Sequence, residues 1–154
     1  MIDIELKLPE DFLKPEERSG YYVSEKMKEL WAVELDLLNK FISVCEKYEL
    51  AYYADGGTLL GAIRHQGFIP WDDDIDVAMF REDYDKLCLV AKDEFKGPYF
   101  FQTEYTDPGA LRAHAQLRNS MTTGILAKDL EYAYSFNQGI FIDIFVLDAV
   151  PDDE

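Results

Sequence analysis

Apolar residues in the first third of the chain recur at steps of three and four. Trp31, Leu35, Leu38, Ile42 and Cys45 form one stripe between Ser24 and Tyr48, with Lys and Glu residues between them. That spacing predicts an amphipathic helix, with Ser24 as its N-cap. A second helical pattern covers Glu82 to Phe95, with Tyr84, Leu87, Cys88 and Ala91 as its stripe. A short third one covers Thr58 to His65, with Leu59, Leu60 and Ile63 inward, and ends before Gly67 and Pro70. Strand patterns fall between and after these helices. Leu50 to Ala54 is short, apolar and aromatic. Asp74 to Phe80 alternates, with Ile75, Val77 and Met79 on one face and Asp74 and Asp76 on the other. Tyr99 to Thr103, His114 to Arg118 and the apolar run Ile140 to Leu147 read as further strands. Residues 1–20, which contain Pro9 and Pro15, read as an irregular lead-in. The order predicts an α/β (α+β) fold: one domain over residues 1–154, with helices around a single mixed sheet.

Composition narrows the function. The 154 residues are 48% hydrophobic, with ten Tyr and ten Phe, which is a globular composition. Net charge is −16, from 31 acidic against 15 basic residues. Such a chain repels a phosphate backbone, so no nucleic-acid partner is expected. Carboxylates are instead hard ligands suited to Mg²⁺, Mn²⁺ or Ca²⁺. Cys45 and Cys88 lack CxxC spacing and a neighbouring His cluster, so both are expected to be buried, reduced thiols. Met1 to Phe12 has neither the basic nor the apolar region of a signal peptide. No apolar run approaches the ~18 residues of a transmembrane helix. Cytoplasmic residence is the default expectation.

The chemistry concentrates between Tyr53 and Asp76. A strand ends in Gly56-Gly57-Thr58, and a helix follows. Glycine admits close backbone approach, and a helix N-terminus offers free N–H groups and a positive dipole end, so this turn suits a phosphate. It is neither a Walker loop, because Ala62 and Ile63 stand at the Lys and Ser/Thr positions, nor a G-x-G-x-x-G loop. Asp74 and Asp76 lie two apart on a strand and share a face, where they repel unless a cation or proton intervenes. Asp72 precedes the strand and is placed to help through water; Asp73 is expected to face away. An EF-hand starting at Asp72 fails, because Val77 replaces the required Gly and Asp83 the final Glu. Asp143 interrupts the apolar run Ile140 to Leu147, where an unpaired charge costs several kcal/mol. If that strand lies beside Asp74 to Phe80, Asp143 completes a three-carboxylate site. Asp148 is a weaker member.

The run Gly56 to Asp76, GGTLLGAIRHQGFIPWDDDID, closely resembles the signature of the LicD phosphocholine transferase family. Fukutin and fukutin-related protein belong to the same superfamily. Asp143 to Asp148, DIFVLD, is similar to that family's later DIFPLD strand, with Val146 in place of Pro. Arg81-Glu82-Asp83-Tyr84 and Arg118-Asn119 with Thr122 also fit. The resemblance runs from about residue 25 to the C-terminus and implies a nucleotidyltransferase-like fold. It assigns Gly56, Gly57 and Thr58 to phosphate, and Asp74, Asp76 and Asp143 to Mg²⁺ or Mn²⁺. Family members are usually longer, so residues that grip the acceptor are expected outside this chain.

The reaction the resemblance implies is attack of an acceptor hydroxyl on the β-phosphorus of a CDP-linked donor such as CDP-choline, with CMP leaving. The acceptor would be a surface glycan, a teichoic acid or a lipopolysaccharide. Asp143 is the expected proton acceptor. Arg64 and Arg118 are candidate phosphate clamps, since guanidinium grips phosphate bidentately, with a surface or structural ion pair as the alternative for each. His65 is a candidate contact to donor or acceptor, with a structural role in the turn as the alternative, and His114 is expected to be structural. Nucleotidyl transfer to a small molecule or protein would use the same metal site. Glycosyl transfer would also use a D-x-D, though the glycine turn upstream argues against it. A binding-only, degenerate domain is the non-enzymatic alternative.

Overall fold

The computed structural model describes residues 4–127, 130–131 and 134–150. The lead-in holds a small hairpin, β1 (Glu16–Arg18) and β2 (Tyr21–Val23), rather than wholly irregular chain. Ser19 and Gly20 turn it with φ of 52° and 73°, the left-handed pair that suits two-residue hairpins. Two-stranded pairing this short leaves almost no periodicity to read.

Helix α1 (Glu25–Lys47) is capped as expected, Ser24 Oγ accepting from the Met27 amide at 3.2 Å. Its buried face is rotated from the predicted stripe. Trp31, Val33, Leu37, Phe41, Val44 and Cys45 are buried, whereas Leu35, Leu38 and Ile42 are partly buried at its margin. The helix lies over two strands at once and buries two neighbouring stripes, and periodicity alone does not choose between them.

The remaining elements are β3 (Tyr53–Ala54), α2 (Gly56–Arg64), β4 (Asp76–Phe80), α3 (Arg81–Glu94), β5 (Tyr99–Gln102), β6 (Ala115–Asn119) and β7 (Ile140–Leu147). Strand β3 is shorter than predicted, because only Tyr53 and Ala54 pair with β4. Helix α2 starts two residues early and faces the other way. Leu59, Leu60 and Ile63 are exposed and Gly61 is buried. A Cβ on Gly61 would stand 2.5 Å from the Gly67 carbonyl, so the helix packs through its glycine side onto the returning backbone. On α3, Tyr84, Leu87 and Ala91 turn inward, and Cys88 is exposed rather than buried.

The single mixed sheet that the element order predicted runs β3-β4-β7-β6-β5. Only β4 and β7 are parallel, and α3, β5 and β6 form the long connection that parallel pairing requires. Strand β7 lies at the sheet centre, which explains its apolar run; Ile142 and Ile144 are fully buried beneath α1 and α3. Buried Asp36 on α1 accepts from Tyr99 Oη at 2.9 Å and from the amides of Glu5 and Leu6, tying the N-terminal segment to β5. No helix among the described residues is long and apolar enough to cross a membrane.

Candidate active site

The parallel pairing of β4 with β7 decides the site. It sets Asp76 opposite Asp143 in register, and the Asp143 amide donates to the Ile75 carbonyl at 2.9 Å. Both aspartates are only partly buried, while their neighbours Ile75, Val77, Ile142 and Ile144 fill the core on the other face. Asp74 lies exposed in the segment just before β4.

The glycine turn abuts these acids. The Asp76 amide donates to Thr58 Oγ1 at 2.8 Å, and the Asp55 amide donates to the Asp76 carbonyl at 3.1 Å. A Cβ on Gly56 would stand 3.1 Å from Asp76 Oδ2, and one on Gly57 only 2.4 Å from Asp72 Oδ2. Gly56 also holds φ at +47°, where a side chain costs about 1–2 kcal/mol. Gly56→Ala is therefore expected to lose about 1–2 kcal/mol in a urea titration. An unchanged midpoint would mean that the turn relaxes freely. Asp72 is anchored by its carbonyl, which accepts from Trp31 Nε1 at 2.9 Å, and Trp31 stacks on Phe68 with centroids 4.6 Å apart. Asp73 is exposed and lines the same cavity as Asp74, so it does not simply face away.

Asp143 is held from the β6 side. Its Oδ1 accepts from Gln116 Nε2 at 2.6 Å and lies 3.0 Å from His114 Nε2. His114 thus touches the acidic group instead of standing apart as structure. Arg118 is not at the phosphate turn. It is 2% exposed, with Nε bonded to Gln102 Oε1 and Nη1 to the Gly139 carbonyl, both at 2.6 Å, and Nη2 bonded to Gln116 Oε1. Its charge holds Gln116, which in turn holds Asp143. Arg64 and His65 end α2, about 12 Å along the axis from Gly56 at 1.5 Å per residue, so they do not join the glycine turn. Arg64 Nε donates to His65 Nδ1 at 3.2 Å, and His65 stands edge-on to Trp71.

The electrostatics are those of uncompensated acid. Burial first, then Asp74, Asp143, Asp55 and Asp72, pushes Asp76 up to about 6. Asp74 is raised by burial and by Asp72, Asp73 and Asp143. Glu34 on α1, a residue the sequence reading missed, is pushed up to about 10 by burial and then by Asp74, Asp73, Asp72 and Asp76. Its signal was present: Glu34 is three residues from both Trp31 and Leu37, in phase with the buried face. Gln116 was legible in the same way, alternating with Ala115 and Leu117. Among the described residues no three acid, imidazole or thiol groups form a closed metal-binding set.

Residues 49–151 match the family model described as LicD/FKTN/FKRP, nucleotidyltransferase domain. The chain belongs to the LicD/FKTN/FKRP family. It is 37% identical over 133 residues to the lipopolysaccharide cholinephosphotransferase LicD of Haemophilus influenzae, an overlap covering 82% of this chain and 46% of that protein. It is 45% identical over 42 residues to the human ribitol 5-phosphate transferase FKRP, covering 27% of this chain and 8% of FKRP. An uncharacterized Rickettsia prowazekii protein is 43% identical over 60 residues, 39% of this chain and 20% of that one. This LicD-family chain therefore spans less than half the length of the curated relatives it matches.

Proposed function

We propose that this LicD-family chain carries the catalytic centre for moving a phospho-alcohol from a CDP-linked donor to a glycan hydroxyl. The observation that carries the reading is the placement of Asp76 and Asp143 side by side on parallel strands, with the Gly56–Gly57 turn against Asp76. The names of the two characterised relatives support a phospho-alcohol, choline phosphate in one and ribitol 5-phosphate in the other.

The chemistry of the acids, rather than a closed ligand set, suits a hard divalent cation. The donors are all carboxylate oxygens, and burial followed by their mutual repulsion raises Asp74 and Asp76. Asp74, Asp76 and Asp143 would hold Mg²⁺ or Mn²⁺, which when bound neutralises charge on the donor diphosphate. The chain's own groups do the rest. The first turn of α2 presents backbone N–H groups and its dipole to a phosphate. Thr58 fixes the start of β4, so Asp76 keeps a constant distance from that turn. Gln116 and His114 orient Asp143. Asp143, beside His114, is the group to accept the acceptor's proton.

The product decides the reaction. CDP-choline, CDP-ribitol or CDP-glycerol, incubated with Mg²⁺ and a hydroxylated glycan, is expected to yield CMP and a phosphodiester only while metal is present. Pyrophosphate released from a nucleoside triphosphate would replace the reading with nucleotidyl transfer, and consumption of UDP-glucose with glycosyl transfer.

A further inference from the structure

The surface next to the glycine turn carries aromatic rings that the chemistry above leaves unused. Trp71 directly precedes Asp72, Asp73 and Asp74, and it is 53% exposed. Tyr21, at the start of β2, is 40% exposed and meets Trp71 with ring centroids 5.9 Å apart and planes at 66°. His65, at the end of α2, meets the same indole edge-on, also at 5.9 Å. The N-terminal hairpin and α2 thus converge on one exposed ring. The other tryptophan, Trp31, is buried and stacked on Phe68. Clustered exposed aromatics forgo the stabilisation of burial, and such patches mark surfaces that bind something.

The polar groups at the rim narrow the ligand. Arg64 is exposed, and its Nε donates to His65 Nδ1 at 3.2 Å, while no carboxylate pairs with it among the described residues. Asp72 and Asp73 follow Trp71, one partly buried and one exposed. A flat apolar face edged by a planar donor and by carboxylate acceptors matches a saccharide, which shows C–H groups on its ring faces and hydroxyls around its rim. Other ligands fit less well. A single nucleobase needs one ring to stack on, whereas three adjoin here. An anionic lipid surface repels a chain of net charge −16.

Asp72 ties this plate to the reaction centre. Its carboxylate lies where a Cβ on Gly57 would stand. Three residues span at most ~11 Å of backbone, so Trp71 lies within that reach of Asp74. A sugar stacked on Trp71 is then a ring or two from the acids that would hold the metal.

We propose that Trp71, flanked by Tyr21 and His65, is the plate on which a sugar ring of the acceptor glycan stacks, with Arg64 donating to its hydroxyls. The inference rests on the phospho-alcohol reading above and deepens it by placing the acceptor.

The test titrates the 154-residue chain with delipidated lipopolysaccharide core oligosaccharide and with neutral gluco- and galacto-oligosaccharides, following tryptophan emission and heat. At least one is expected to bind and to shift the emission of the exposed Trp71 to shorter wavelength. Trp71→Ala should weaken that sugar roughly tenfold, while metal-dependent CDP-choline affinity stays within about twofold. Trp71→Phe keeps a stacking face and should retain most of the sugar affinity. The melting point of either variant should change little, because the side chain is so exposed. A parent that binds no sugar, or a Trp71→Ala variant that binds it equally well, would overturn the inference and leave the phospho-alcohol reading intact. If Trp71→Ala weakens CDP-choline and not the sugar, the ring serves the donor's base and the inference falls. If CDP-choline never binds with Mg²⁺ while sugar binding still depends on Trp71, the phospho-alcohol reading falls and the sugar plate stands.

Discussion

Asp76→Asn is expected to cut metal-dependent turnover by about 10²–10³-fold and, in the same protein, to raise the melting temperature measured without metal. The first effect follows from position. Asp76 is the strand carboxylate that faces Asp143 in register and borders the glycine turn. Losing one electrostatic contact to a phosphoryl transition state costs on the order of 10²–10³ in rate. The second effect follows from crowding. Burial and four neighbouring acids hold the Asp76 carboxyl at about 6, against an ordinary value of 3.8. Its folded value is therefore above its unfolded one, so the folded state binds more protons. Its contribution to stability is most favourable below 3.8 and is lost as pH rises from there through about 6. The neutral amide escapes that loss, so the gain of Asp76→Asn should be clear at pH ~8 and vanish near pH ~4. Divalent cation should stabilise the parent more than the variant. A variant that turns over normally, or gains nothing at high pH, would remove Asp76 from the site.

Arg118→Leu is expected to be the most destabilising of these substitutions, by about 3–5 kcal/mol, the cost of stripping the partner from a buried hydrogen-bonded group. Three acceptors lose their donor together: Gln102 Oε1 on β5, the Gly139 carbonyl ahead of β7, and Gln116 Oε1 on β6. The guanidinium also stands 4.5 Å from the centroid of Phe141, so a cation–π contact is lost as well. At about 2–4 °C per kcal/mol for a domain of this size, the melting point should fall by roughly 10 °C. Activity should fall further than the folded fraction accounts for, because Gln116 loses the contact that aims it at Asp143. Arg118→Lys should recover part of the stability, since one ammonium cannot serve three diverging acceptors. A melting point unchanged in Arg118→Leu would mean that this network does not form in solution.

Local pattern carried much of the fold. Ser24 capped α1 where the sequence placed it, β7 spans the predicted Ile140–Leu147, and α3 differs by one residue at each end. The sheet was predicted as mixed, and it is. The errors share a cause. Leu59, Leu60 and Ile63 were assigned inward because their spacing is helical, but a stripe does not say which side meets the protein. Gly61 does, because only a glycine lets the Gly67 carbonyl approach so closely. Cys88 and the rotated face of α1 are the same kind of error. Arg118 read as a clamp because an arginine near a phosphate motif is useful there, and nothing local reveals that Gln102, Gln116 and Gly139 enclose it.

By itself the sequence marked the candidate residues: a strand with two carboxylates on one face, a glycine turn before it, and a lone aspartate in an apolar run. These are properties of alternation and of backbone freedom, written into neighbouring residues. Only the tertiary structure brings them together. The partner of β4 is β7, more than sixty residues away, and the one parallel pairing in the sheet brings Asp143 level with Asp76. The same packing turns Glu34 from an ordinary helix carboxylate into a buried acid beside the aspartates. Strand pairing and burial depend on contacts between distant segments, and no local period encodes them.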